Sequence, residues 1–193
     1  MKVHFIRSGE RRYAMRIDRA SAPTLVMDPA PGFDPDLPHD MVHFVVEALL
    51  GLEGGVFGQI AAGGDAGSFH IGGPDGADAR AHRRAARKQA AKGKALMTGQ
   101  GRDGELSERA AFLFDIGWRR RTRPDRAPQR AADDEAARVR ATLGSGERAR
   151  IDAVRADVFA AFDAVSKEWR ELAPGEALVL EWPTLCRIGQ PIG

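Results

Sequence analysis

Between residues 147 and 172, Ile151, Val154, Val158, Phe162, Val165, Trp169 and Leu172 recur at spacings of three and four. That period lays one continuous apolar stripe along a long helix. Such a helix is stable only when the stripe is covered, so it dictates that the chain builds a second layer. Pro174-Gly175 ends it, and the run that follows, Ala177-Leu178-Val179-Leu180-Glu181-Trp182, reads as a strand.

The partners of that strand lie at the other end of the chain. Tyr13, Met15 and Ile17 alternate with Arg12, Arg16 and Asp18, the two-residue period of a half-buried strand. Val3 and Phe5 alternate more weakly with His4 and Ile6, Ser8-Gly9-Glu10 supplies a hairpin loop, and Thr24 to Met27 suggests a third strand. The expected fold is therefore α+β: a small, mainly antiparallel sheet of three or four strands from the two ends of the chain, packed against helices from the middle. Because both ends enter one sheet, residues 1–193 are expected to form a single domain.

Pro29, Pro31, Gly32, Pro35 and Pro38 make residues 28–38 a rigid connection. A helix is expected from near Pro38, with Asp36 as its N-cap, to Gly51. Ten glycines between residues 51 and 76 leave room for one short helix, Val56 to Ala62, among turns. Gly63-Gly64-Asp65-Ala66-Gly67 lacks the Gly-Lys-Ser/Thr ending of a phosphate loop and reads as turn chemistry. Further helices are expected at 78–97, 105–120 and 130–143, with mobile linkers at 99–104 and 121–130.

Cys186 is the only cysteine, so intrachain disulfides and Cys-rich zinc sites are excluded. Residues 1–7 carry no signal-peptide core, and the densest apolar run, Met41 to Leu50, is interrupted by His43 and Glu47. A cytoplasmic protein without membrane partners is expected. Net charge is only +2, yet residues 80–130 carry fifteen Lys/Arg against five Asp/Glu. Arg83, Arg84, Arg87 and Lys88, on an alanine-rich stretch, form a candidate phosphate-binding face for nucleic acid or an acidic partner, which the Arg119-Arg120-Arg121-Thr122-Arg123 cluster would extend. No aromatic residue lies between 71 and 111, which argues against stacking on single strands. Arginine outnumbers lysine 24 to 5, a bias that GC-rich coding also produces.

The helix after Pro38 is the best candidate for chemistry. At about 100° per residue, His39, Asp40, His43 and Glu47 share roughly 100° of arc, and the apolar residues Met41, Val42, Phe44, Val45 and Val46 occupy the opposite side. Two histidines one turn apart share a face, as two imidazoles must to hold one metal. Glu47 lies about 12 Å along the axis from His39, too far for one ion, and is better placed to orient His43. The third ligand then comes from elsewhere, with His70 and Asp65 the nearest options in sequence. The same four residues also suit metal-free acid–base work or the plain polar face of an amphipathic helix.

The string His39-Asp40-Met41-Val42-His43 resembles the zincin metalloprotease motif His-Glu-x-x-His. The resemblance implies zinc on His39 and His43 and the general base at Asp40, one methylene shorter than the family's glutamate. The block Leu37-Pro38-His39-Asp40-Met41-Val42-His43-Phe44-Val45-Val46-Glu47, with Gly58-Gln59-Ile60-Ala61-Ala62-Gly63-Gly64-Asp65-Ala66-Gly67, is similar to a segment of bacterial proteins of unassigned function. The leading expectation is a metal-dependent hydrolase or metal-binding protein acting on a small molecule or peptide. The alternative is a binding protein that uses the basic segment to hold nucleic acid.

Overall fold

The alternation at Tyr13, Met15 and Ile17 continues across a whole sheet. The computed structural model describes residues 1–20, 22–64, 67–72, 101–124 and 130–187. Its strands are β1 (Lys2–Gly9), β2 (Arg12–Arg19), β3 (Ala22–Ala30), β4 (His70–Ile71), β5 (Ala177–Glu181) and β6 (Cys186–Arg187). They pair antiparallel throughout in the order β4-β3-β2-β1-β5-β6. The expected α+β fold is what forms, with β1 paired to β2 on one side and to β5 on the other. The sheet exceeds the expected three or four strands because β4 and β6 are two-residue edge strands, too short to show a period.

Register explains which side chains make the core. Leu180, Val3, Ile17, Leu25 and Ile71 form one cross-strand row, and Leu178, Phe5, Met15 and Met27 form the next. All nine are buried. Since alternate side chains share a face, both rows point to the same side. The helices are α1 (His39–Leu50), α2 (Val56–Ala61), α3 (Gly101–Thr122), α4 (Arg130–Thr142) and α5 (Ser145–Glu171). Helix α1 lies on this side, its Phe44 edge-on to Phe5 at 5.7 Å between ring centroids, and α3 and α5 pack against α1 in turn. The stripe on α5 is buried at Ile151, Val158, Phe162, Val165 and Trp169.

Two anchors orient α1. Its C-terminus closes on Gly51, left-handed at φ 61°, whose N–H bonds to the Ala48 carbonyl, the glycine cap expected there. At the N-terminus the residue before the helix is Pro38, not Asp36 as expected. The Asp36 carboxylate instead pairs with Arg123. Asp34 does the local work: its Oδ1 accepts the N–H groups of Asp36 (2.8 Å) and Leu37 (2.9 Å), and its Oδ2 receives Arg119 at 2.9 Å. The Trp169 indole N–H donates to the Asp34 carbonyl at 3.0 Å, tying this connection to the end of α5.

Helix α3 is held along α5 by Trp118, which donates to Asp163 at 2.8 Å and packs edge-on to Phe162. Near its start, Asp103 accepts the Gly54 N–H at 3.0 Å, fixing α3 to the loop after α1. Residues 101–104, expected in a linker, are helical, as are Arg121 and Thr122. Residues 99–100, 125–129 and the expected helix at 78–97 lie outside the described residues. No helix among the described residues is long and apolar enough to cross a membrane.

Candidate metal centre

Because the broad apolar face of α1 is committed to the sheet, its narrow ionisable face meets α3. His43 is buried at 3% exposure, Glu47 at 0% and Ser107 of α3 at 2%. His39, one turn earlier, and Glu108 of α3 are exposed. The Nε2 atoms of His39 and His43 face each other at 3.2 Å, and Glu108 Oε2 lies 3.7 Å from His43 Nε2. One ligand atom from each of these three residues falls within 4.8 Å of the other two, so the group could hold a metal ion. Two nitrogens on a tetrahedral zinc at 2.0–2.1 Å would be about 3.3 Å apart, close to the observed 3.2 Å.

Burial sets the charge state of this group. His43 is pushed down to about 4, first by loss of water and then by the neighbouring His39. Near neutral pH it is therefore a neutral ring, and its contact with Glu108 is not an ion pair. A neutral imidazole nitrogen and an exposed carboxylate converging on one point are what a metal site requires.

Behind His43, on the side away from His39, is a second polar cluster. His43 Nδ1 lies 2.9 Å from Ser107 Oγ, which lies 2.7 Å from Glu47 Oε1. Glu47 also receives the backbone N–H groups of Val56 and Phe57, each at 2.8 Å. Burial pushes this carboxyl up to about 7, while the hydrogen bonds from Ser107, Phe57 and Val56 pull the other way. The glycine run matters here at one position. A Cβ on Gly55 would sit 2.3 Å from Glu47 Cδ, so only glycine lets the chain fold over the carboxylate.

The four ionisable residues of α1 thus divide three ways. His39 and His43 converge on Glu108. Glu47 sits on the Nδ1 side of His43, 3.8 Å from that nitrogen and joined to it through Ser107. Asp40, at the base position of the zincin resemblance, does not belong to the converging group. Its carboxylate is engaged by the Tyr13 hydroxyl, which also lies 2.6 Å from the Pro31 carbonyl. Burial raises the Asp40 carboxyl above its ordinary range.

His70 is exposed on edge strand β4, paired with Val26, and is not part of the group. Asp65 and the basic residues Arg83, Arg84, Arg87 and Lys88 lie outside the described residues. The arginines expected to extend a basic face are paired within the chain: Arg119 with Asp34 and Asp115, Arg120 with Asp133, Arg121 with Asp163, Arg123 with Asp36.

Glu108 and Ser107 escaped the sequence reading. Both sit more than fifty residues beyond the end of α1 in the chain, and a single serine or glutamate on a helix carries no spacing signal. What could have pointed to them is the stripe Leu106, Ala110 and Phe114 of α3, which fixes the buried side of that helix and places residues 107 and 108 beside it. No family model, curated protein or solved structure matches this chain.

Proposed function

We propose that this protein is a metal-dependent hydrolase that holds one divalent ion, zinc the best match, on His39, His43 and Glu108. The observation that carries the reading is the convergence of two imidazole nitrogens and one carboxylate oxygen from two helices within 4.8 Å. Two nitrogens and one oxygen suit zinc, which accepts mixed imidazole and carboxylate ligands. Three protein ligands leave a coordination position for water or substrate, and an ion so held acts as a Lewis acid on an ester, phosphoester or amide. Exposure of His39 and Glu108 supports access to that position from solvent.

The residues around the ion have separate duties. His43 is held by the buried cluster behind it and supplies the rigid ligand. His39 and Glu108 close the site from the solvent side. Asp40 and Glu47 are both occupied by donors, Tyr13 for the first and Ser107, Val56 and Phe57 for the second, so the reading assigns the base role to neither.

Tag-free protein should contain close to one equivalent of metal by elemental analysis and bind added zinc in a calorimetric titration. His43→Ala and Glu108→Gln should each weaken zinc by more than the about 10- to 100-fold that loss of an outer-sphere partner costs. Chelation should abolish hydrolysis of activated ester and phosphoester substrates, with recovery on adding zinc. Equal metal content and affinity in all three proteins would refute the reading.

A further inference from the structure

Five polar groups stand in line behind the proposed ion: the backbone N–H groups of Val56 and Phe57, Glu47, Ser107 and the Nδ1 side of His43. We infer that Ser107 and Glu47 are positioning residues that commit His43 to the tautomer with its proton on Nδ1, leaving Nε2 as the nitrogen available to a metal. The inference deepens the metal reading of the same site and rests on it for its purpose.

Counting protons along this line fixes the tautomer. Glu47 Oε1 takes the Val56 N–H at 2.8 Å and the Ser107 hydroxyl at 2.7 Å, while Oε2 takes the Phe57 N–H at 2.8 Å. Both oxygens of Glu47 thus face donors, the arrangement of a carboxylate that accepts, so the single hydroxyl proton of Ser107 points to Glu47. Toward Nδ1, 2.9 Å away, Ser107 Oγ then offers lone pairs alone. That contact is a hydrogen bond only if Nδ1 carries the ring proton. A neutral imidazole has one N–H, so Nε2 is bare. The reverse arrangement would leave Ser107 Oγ and Glu47 Oε1 as two acceptors 2.7 Å apart, where burial makes an unsatisfied contact costly.

The two histidines are therefore unequal. His43, buried and locked from behind, is preset for a metal at Nε2. His39 is exposed, and in the metal-free protein its Nε2–H donates across 3.2 Å to the bare Nε2 of His43. To offer Nε2 to an ion, His39 would have to carry its proton on Nδ1. One ligand is preorganised and the other adapts.

The test reads the tautomer directly. A long-range ¹H–¹⁵N correlation spectrum of metal-free, ¹⁵N-histidine-labelled protein is recorded at about pH 8, above the ordinary histidine range. His43 is expected to show a protonated Nδ1 and an unprotonated Nε2; a protonated Nε2 overturns the inference. Ser107→Ala should lose this preference and weaken zinc by about 10- to 100-fold, and Ser107→Thr, which keeps the hydroxyl, should restore both. An unchanged tautomer in folded Ser107→Ala overturns the inference equally. Should the alanine variant not fold, the wild-type spectrum and the threonine variant decide. The spectrum needs no metal, so a protein that binds no zinc yet shows the Nδ1 proton refutes the metal reading while the positioning role stands.

Discussion

His43 and Glu47 stand one turn apart on α1 and titrate in opposite senses. Glu47 has an ordinary value of 4.5 and a folded value of about 7, so the folded metal-free state binds more protons than the unfolded chain between them. Its contribution is present below 4.5 and is lost as pH rises through about 7. His43 has an ordinary value of 6.5 and a folded value of about 4; its contribution is present above 6.5 and is lost as pH falls through about 4. Over most of the shared window the two slopes, each about 1.4 kcal/mol per pH unit at most, oppose one another. Glu47→Gln should remove one of them. In urea denaturation, the variant is expected to lose stability on acidification from about pH 6.5 to 4.5 more steeply than the wild type. Parallel pH profiles would show that the two groups do not titrate as described.

At the scale of elements, the aim of α1 depends on the connection before it. Asp34 gathers two backbone N–H groups and the Arg119 guanidinium, and its carbonyl receives Trp169. Removing the carboxylate strands three donors at once. Asp34→Ala is expected to cost roughly 2–4 kcal/mol in chemical denaturation. Asp34→Asn, which keeps one oxygen acceptor for the backbone, should cost less. Equal stability of the alanine variant and the wild type would mean that solvent replaces these contacts.

The same scale separates what was legible in the residues from what was not. The spacing of His39 and His43 could be read because a helix turns local separation into shared direction, and the stripe of α5 for the same reason. Strands β1 and β2 are legible through alternation at residues such as Phe5, Tyr13 and Met15, and β5 as the short apolar run around Leu178. The third side chain of the candidate metal group is not legible, since it depends on how α3 lies over α1. That placement is set by Asp103 on Gly54 and Trp118 on Asp163, contacts between segments whose separation in sequence says nothing about their distance. An acidic residue before a helix is as good a partner for an arginine as it is a cap, and Arg123 comes within reach of Asp36 only in the fold.

For the molecule as a whole, the sheet is the joint between early and late parts of the chain. Strand β1 pairs with β5 through five residue pairs, from Lys2–Glu181 to Ile6–Ala177. A chain ending at Gly175 would leave one edge of β1 unpaired and uncover Val3 and Phe5, and exposed edges of this kind template association. That truncation should abolish cooperative thermal unfolding and form aggregates in size-exclusion chromatography; a monomer with a sharp melting transition would contradict the central role given to this pairing.

The order of the strands also has a consequence during synthesis. A ribosome makes β1, β2 and β3 first, but the neighbour that seals β1 emerges more than 140 residues after it. At translation rates of about 5–20 residues per second, the nascent three-stranded ribbon waits for many seconds with one flank uncovered. Chaperones that shield extended segments have their natural moment of action in that interval, and codon changes that slow residues 101–171 would lengthen it.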